Sequence, residues 1–327
     1  MSNRMNGNKV DKVPNFNIYM TFAARFINKP LSSYYLDFHT LVEANLAMTD
    51  NFDADIFQAI SDPYRAIYDF GAEIEFPHDG LPISRRPLLE QPEDLGKIKV
   101  PKPESGRRML DRLNGVSLLK QKSQNEIPVM GWVEGSLAES GNLRGISNIL
   151  MDLYERPEWV KDLLEIITDL EIDFAIEQIN AGADIIGVGD AIASQLSPEL
   201  YEEFALPYEK RIFQAIKEKG AISRLHICGD TNHILKNMTE SGVDIIDLDW
   251  MVDINEAEKV YGQEIVFCGN MDPVSVFLNG SEYNVYSATK KTLSDPKSRI
   301  ISAGGCEIPI GTPSENIHSQ NKALLLA

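Results

Sequence analysis

The chain has 327 residues, 43% of them hydrophobic, and a formal net charge of −18. A chain of this length and hydrophobic content can form a large core, in one α/β barrel or in two smaller domains. The negative charge argues against general binding of nucleic acid or anionic membranes, since the summed field repels polyanions. Three cysteines, a polar N-terminal segment and the lack of an apolar run of about 18 residues predict a cytoplasmic protein without a disulfide framework.

Short apolar runs alternate with amphipathic stretches along the chain. Eight of these runs have the length and β-branched content of strands that are buried on both faces of a parallel sheet. Repeated βα units favour a (β/α)8 TIM barrel over an open doubly wound sheet. The predicted strands are residues 16–20, 54–60, 127–134, 183–190, 222–228, 243–249, 265–270 and 299–304.

The helical stretches lie between these strands. Ser197-Pro198-Glu199 has a capping hydroxyl, a proline at the first helical position and an acid in the first turn, which is typical of a helix start. Pro207 predicts a kink in that helix. Residues 80–125 are rich in proline and charge and are predicted to form a long irregular excursion after the second strand. We expect a single domain over residues 1–327 with an N-terminal extension. The predicted helices include 36–48, 146–180, 198–219, 233–241 and 255–261.

One histidine and two cysteines stand at predicted strand ends. His226 and Cys228 are two residues apart, so on a strand they face the same side, and Gly229 then ends the strand. Cys306 follows the last predicted strand, across the barrel mouth. Three protein ligands are the number that a catalytic zinc uses while it keeps a fourth position open. The alternative is a buried histidine with two unrelated core cysteines. Cys268 is either a fourth ligand or a packing residue.

Carboxylates also collect at the strand ends. Glu134, Asp190, Asp247 and Asp249 could each be a general acid or base, a hydrogen-bond partner of a metal-bound histidine, a metal ligand, or the cap of the next helix. Asp190 and Asp249 are the preferred functional candidates. We therefore expect a polar site at the carboxyl ends of the strands.

Several segments match a known family in order and spacing. They are Ala181-Gly-Ala-Asp184, Leu196-Ser-Pro-Glu199, Leu225-His-Ile-Cys-Gly229, Gly242-Val-Asp244, Gly269-Asn-Met-Asp-Pro273 and Thr312-Pro-Ser-Glu-Asn316. On these segments the chain resembles the uroporphyrinogen decarboxylase superfamily, and within it the branch of cobalamin-dependent methyltransferases typified by methylcobamide:coenzyme M methyltransferase. The decarboxylases of the superfamily use an N-terminal arginine-rich motif to bind substrate carboxylates, whereas residues 18–26 here keep only Arg25.

The resemblance implies a zinc enzyme with His226, Cys228 and Cys306 as metal ligands. It implies methyl transfer from methylcobalamin or another corrinoid, held on a separate small corrinoid-binding protein, to a thiol such as coenzyme M. Homocysteine or a tetrahydrofolate remains open as the acceptor. Asp190 and Asn270 are expected to line the pocket, and Asp249, water or another side chain to be the fourth ligand.

Two other functions remain open at this point. One is a decarboxylase of tetrapyrrole side chains, which would need a cluster of arginines in the pocket. The other is a non-catalytic module that binds zinc or the corrinoid protein. Arg144 and Arg224 are candidates for binding a sulfonate.

Overall fold

The structure, a computed structural model, describes residues 1–293 and 298–325. Its centre is a parallel sheet of seven strands in the order β1-β4-β5-β6-β7-β8-β9, and a separate antiparallel pair joins β2 to β3. The fold is therefore α/β, with the seven strands curled into a half-barrel of the TIM type. The strands are β1 (Phe57–Gln58), β2 (Ile74–Glu75), β3 (Ile83–Ser84), β4 (Val129–Glu134), β5 (Ile185–Gly189), β6 (Ile222–His226), β7 (Ile245–Leu248), β8 (Val266–Met271) and β9 (Ile301–Gly304).

Helices connect the strands and cover the sheet. Short 3-10 segments lie at Pro92–Lys97 and Ala191–Gln195, and a π-helical segment lies at Pro273–Leu278. Among the described residues, no helix has both the length and the apolar character that a bilayer crossing requires. The helices are α1 (Ser2–Met5), α2 (Met20–Phe26), α3 (Leu31–Leu36), α4 (Phe38–Phe52), α5 (Arg65–Phe70), α6 (Arg107–Ser123), α7 (Ser136–Arg144), α8 (Ile146–Glu155), α9 (Pro157–Asn180), α10 (Pro198–Phe204), α11 (Leu206–Glu218), α12 (Leu235–Thr239), α13 (Ile254–Tyr261), α14 (Glu282–Thr292) and α15 (Ser314–Leu324).

The first predicted strand, residues 16–20, is not a strand. Residues 16–19 form no strand ladder, Tyr19 is already in the α region, and Met20 begins α2. The segment still lies between the two edges of the sheet: Phe16 N donates to Ser302 O on β9 at 2.9 Å, and Asp55 N donates to Asn15 O at 3.1 Å. Side-chain amides take over part of the pairing, since Gly304 N donates to Asn17 Oδ1 at 2.8 Å. Seven of the eight predicted strands are therefore present in the parallel sheet, this one is not, and the short pair of β2 and β3 was not predicted.

Two predictions about helices were wrong in detail. One concerns a break before a proline, and the other a helix that carries buried arginines. The predicted helix 146–180 is two helices that break at Arg156, because the residue before Pro157 is pushed out of the α region. The predicted irregular excursion 80–125 contains the 17-residue helix α6. The apolar periodicity that would predict this helix is interrupted, because Arg108 and Arg112 occupy buried positions on it. The kink predicted at Pro207 is a full break: α10 ends at Phe204, and α11 begins at Leu206 with Pro207 in its first turn.

Candidate metal centre

Three side chains meet at the carboxyl end of the sheet. His226 is the last residue of β6, Cys228 follows two residues later, and Cys306 follows the end of β9. The Nε2 atom of His226 lies 3.0 Å from the Cys228 sulfur and 3.8 Å from the Cys306 sulfur, and the two sulfurs are 3.7 Å apart. The three ligand atoms all lie within 4.8 Å of one another. Strands β6 and β9 are not neighbours in the sheet, so its curvature brings the cysteines together.

These separations fit a zinc ion. Tetrahedral zinc with bonds of about 2.3 Å to sulfur and about 2.0 Å to nitrogen places two sulfurs about 3.8 Å apart and a nitrogen about 3.5 Å from each sulfur. The two sulfurs, 3.7 Å apart, are close to the first value, and the nitrogen–sulfur distances of 3.0 and 3.8 Å lie on either side of the second. Two thiols and an imidazole are also a donor set that suits zinc. The three residues could therefore hold such an ion after a small shift of the His226 and Cys228 side chains.

A buried ion pair lies behind the histidine. Asp247 Oδ2 is 3.2 Å from His226 Nδ1, and both Asp247 oxygens accept from Arg224 Nε, at 2.8 and 3.0 Å. Arg224 is 1% exposed and Asp247 is 4% exposed. A carboxylate on Nδ1 leaves Nε2 available for the metal, which is the arrangement typical of histidine ligands. Burial opposes ionisation of Asp247, but Arg224 and His226 outweigh it and lower the pKa of this carboxyl.

The thiols differ in their acidity. The hydrogen bond from Cys228, with further help from His226, outweighs desolvation and lowers the pKa of Cys306 to about 4. The same hydrogen bond and burial raise the pKa of Cys228. Burial opposes protonation of His226, but Cys228 and Asp247 outweigh it and raise the pKa of the imidazole. The cluster thus favours a thiolate close to positive charge.

The cluster opens onto a cavity of about 340 Å³. Most of the cavity wall is apolar, and its polar groups come from several different elements. Among the described residues that line it, Arg65 is the one arginine or lysine. The wall includes Ile18, Met20, Thr21, Tyr35, Ile60, Asp62, Tyr64, Arg65, Leu81, Trp132, Glu134, Gly189, His226, Cys228, Cys306 and Glu307.

Arg65 forms hydrogen bonds with two acidic residues that also line the cavity. It donates to Glu134 Oε1 and to the backbone oxygen of Asp62, and Asp62 in turn pairs with Arg108. Arg65, Asp62 and Arg108 are nearly fully buried. Arg65 and Asp62 were missed in the sequence analysis. The position of Asp62, two residues after the predicted strand 54–60, could have marked it, whereas no strand end or local motif marks Arg65. Glu134 was noted there as one of several strand-end acids.

Two more glutamates lie behind this pair. Glu139 on α7 and Glu171 on α9 are 0% and 1% exposed. Both oxygens of Glu171 and one of Glu139 are buried without a hydrogen-bond partner among the described residues. Desolvation and the charge of Glu134 raise the pKa of Glu139 to about 8, and desolvation and Glu139 raise that of Glu171. Burial therefore favours the protonated form of both carboxyls.

The three residues predicted as catalytic lie beside the cavity, and its described wall includes none of them. Asp190 Oδ1 accepts from Ala138 N at 2.8 Å, at the start of α7. Asp249 accepts from Gly229 N at 2.7 Å and so holds the loop that carries Cys228. Asn270 donates to Asp249 O at 3.2 Å. These contacts place Asp249 and Asn270 around the ligand loop.

The candidate fourth ligand Cys268 and the candidate sulfonate-binding arginines Arg144 and Arg224 make their contacts outside the cavity. Cys268 is fully buried in a core cluster, and its sulfur lies 3.7 Å from Arg224 Nη2. Arg144 pairs with Asp152 at 2.7 Å. Arg224 faces Asp247. Neither arginine is among the described residues of the cavity wall.

Comparison with known proteins gives one family and two groups of relatives. The family model described as uroporphyrinogen decarboxylase (URO-D) matches residues 1–324. The methylcobamide:CoM methyltransferase MtbA of Methanosarcina mazei is 35% identical over 273 residues, which are 80% of this chain and 77% of the relative. A uroporphyrinogen decarboxylase of Prochlorococcus marinus (strain MIT 9515) is 30% identical over 284 residues, 80% of each chain.

A solved structure shares the fold over almost the whole length. It is described as a methyltransferase from Methanosarcina mazei and superimposes with a TM-score of 0.89 at 21% identity, covering 98% of this chain and 96% of that chain. A B12-independent methionine synthase from Shewanella sp. W3-18-1 superimposes with a TM-score of 0.60 at 13% identity, covering 97% and 96%. At these identities the two structures support the TIM-like architecture and no particular reaction.

Proposed function

The chain belongs to the uroporphyrinogen decarboxylase family and is an enzyme, and we propose that it transfers a methyl group from a methylated corrinoid to a thiol such as coenzyme M. The corrinoid would be carried by a separate small protein. Support comes from the MtbA methylcobamide:CoM methyltransferases of Methanosarcina mazei and Methanosarcina acetivorans, at 35% and 33% identity. In this reaction the thiol sulfur takes the methyl group, the cobalt–carbon bond breaks with its electron pair left on cobalt(I), and the thiol proton is released.

The observation that carries this proposal is the meeting of His226, Cys228 and Cys306 at the wall of the cavity. We assign these three residues as the ligands of a zinc ion. When bound, zinc with an open position coordinates a thiol and lowers its pKa, so that a nucleophilic sulfur exists at neutral pH. The proposal therefore needs a metal site that opens onto space for a substrate.

The surrounding residues position the ligands. Asp247 fixes the orientation of the His226 ring, and Arg224 keeps Asp247 ionised. Asp249, supported by Asn270, holds Gly229 and with it the Cys228 loop. We assign Asp249 and Asn270 this positioning role. The apolar cavity wall limits water around the thiol, which favours attack by sulfur over competing reactions.

The cavity fits a decarboxylase of tetrapyrrole side chains less well. Such a substrate carries many carboxylates and needs fixed cationic partners. Among the described residues of the wall, the one arginine or lysine is Arg65, and it is already paired with Glu134 and Asp62. A substrate with several carboxylates would also meet the acids Glu134 and Glu307.

The test is a zinc assay followed by a methyl-transfer assay. Purified protein is analysed for metal and then mixed with methylcobalamin and coenzyme M, while the absorbance of the methyl–cobalt species is followed. We expect one zinc per chain and loss of that absorbance only when the thiol is present. Homocysteine and a tetrahydrofolate in place of coenzyme M identify the acceptor.

Two cysteine variants provide a matched pair for this assay. Cys306→Ala removes a proposed ligand, whereas Cys268→Ala removes a buried thiol outside the ligand cluster. We expect Cys306→Ala to stay folded, bind zinc poorly and lose activity, and Cys268→Ala to retain zinc. Full activity of Cys306→Ala, or no methyl transfer to any of the three acceptors by the zinc-loaded protein, would contradict the proposal.

A further inference from the structure

One row of the sheet brings an acid opposite the histidine ligand. Glu134 at the end of β4 is paired in register with Gly189 on β5, and Gly189 is paired with His226 on β6. Residues in register across a parallel sheet point to the same face. Two strand spacings of about 4.8 Å therefore separate Glu134 from His226 along this row. All three residues line the cavity.

The residue between them has no side chain. A Cβ atom at Gly189 would lie 2.9 Å from Trp132 Cζ2 and 3.3 Å from Glu134 Oε2. Without a side chain at Gly189, the Trp132 ring lies over this position, beside Glu134 Oε2 and with its centroid 6.2 Å from that of the His226 ring. Glu134 Oε1 is held by Arg65, whereas Oε2 lies on the Gly189 side. The guanidinium of Arg65 and the side chain of Trp132, which also hydrogen-bonds to Glu134, therefore fix the carboxylate at the cavity wall, in the same row as His226.

From this geometry we propose that Glu134 is a catalytic base, the group that takes the proton of the acceptor thiol. This inference rests on the proposed function. The sulfur–hydrogen bond breaks, the electron pair stays on sulfur, and the proton goes to Glu134 Oε2. Arg65 is a positioning residue that orients the carboxylate. A group that accepts the proton inside the cavity allows the thiol to ionise while a docked partner covers the mouth.

The surroundings of Glu134 strengthen it as a proton acceptor. Burial raises the pKa of Glu134 above its ordinary value, although Arg65 opposes this effect. The groups that face Glu134 are Arg65 on α5, Asp62 before α5, Trp132 on β4, Glu139 on α7, Glu171 on α9 and Asp190 after β5.

Proton release on thiol binding tests this role without a methyl donor. Zinc-loaded protein is titrated with coenzyme M by calorimetry near pH 7 in two buffers that differ in ionisation enthalpy, which yields the protons released per thiol bound. For the wild-type chain we expect a value near zero, because Glu134 keeps the proton. For Glu134→Gln we expect about one proton released to the solvent, with the same zinc content.

Two further variants make the result specific. Glu134→Asp keeps a carboxylate on a shorter side chain, and the proton count should return toward the wild-type value. Glu126→Gln removes an exposed acid in the loop before β4 and should leave the count unchanged. Release of one proton by the wild-type chain, or equal counts for wild type and Glu134→Gln, would overturn the role of Glu134 alone. Absence of coenzyme M binding to the zinc-loaded wild type would overturn the proposed function and this role with it.

Discussion

Replacing Asp247 by asparagine tests the buried network behind the metal centre. Asp247 serves two donors, Arg224 Nε and His226 Nδ1. An asparagine keeps the shape but offers a single carbonyl oxygen and no negative charge, so it cannot serve both donors equally. We expect zinc to bind about 10- to 100-fold more weakly, which corresponds to roughly 1.4–2.7 kcal/mol.

The same change should also lower the free energy of unfolding. Arg224 is 1% exposed, and Asp247 is the carboxylate that accepts hydrogen bonds from its guanidinium, through both oxygens. Removing one partner of a buried ion pair costs about 3–5 kcal/mol because the other charge stays buried and unpaired. The amide oxygen that remains places the expected loss toward the lower end of that range.

A double variant separates the two effects. Arg224→Met combined with Asp247→Asn removes the unpaired charge, so it should recover most of the lost stability. It should not recover zinc affinity, since the carboxylate on His226 is still missing. Affinity is measured by competition with a chromophoric chelator, and stability by urea unfolding of the metal-free protein.

The wild type should also show a specific acid response. The folded-state pKa of Asp247 is lowered, so its stabilisation is present above the ordinary pKa and is lost as the pH falls through the lowered value. Asp247→Asn should remove this part of the acid dependence. If Asp247→Asn binds zinc within about twofold of the wild type, the assignment of Asp247 as the positioning partner of a zinc ligand is refuted.

Two further predictions concern the buried carboxyl of Glu139 and the close packing at Gly189. Burial raises the pKa of Glu139 to about 8, so the folded chain keeps a proton that the unfolded chain loses, and stability falls as the pH rises from the ordinary value of 4.5 toward 8. Glu139→Gln should flatten this fall between pH 6 and 8.5 in urea unfolding, and an unchanged slope would contradict the shift. Gly189→Ala places a Cβ 2.9 Å from Trp132, so we expect a loss of about 1–3 kcal/mol in unfolding free energy and weaker coenzyme M binding. Gly96→Ala has open space around it and is the matched control; similar losses in both would contradict the packing argument.

The amino-acid sequence determined the local part of the metal centre. The His-x-Cys spacing at the end of an apolar run places two candidate donors close together, although β6 ends at His226 and not, as predicted, at Cys228, which lies in the loop after the strand. Helix signals were equally local: the Ser197 hydroxyl accepts from Leu200 N at 3.3 Å, as the Ser-Pro-Glu start predicts. Such features depend on the period of the strand or on the first turn of a helix, which neighbouring residues decide.

Which strand-end acid faces the cavity was decided only by the tertiary structure. Position after a strand places Glu134, Asp190 and Asp249 in one layer, but the packing of distant elements sets where each side chain points. Glu134 turns to Arg65 from α5, whereas Asp190 turns to the backbone of α7.

The way in which the N-terminal segment joins the two edges of the sheet also could not be predicted from local sequence patterns. Residues 12–19 join both sheet edges through amide side chains and isolated bridges, and no alternating pattern encodes such contacts. Burial of a charged pair such as Arg65 and Glu134 is stable only when both partners arrive together. Arg65 and Glu134 are 69 positions apart and meet only when the whole chain folds. This is why the sequence grouped three candidate ligands at strand ends but could not predict that Arg65 pairs with Glu134 in the same cavity.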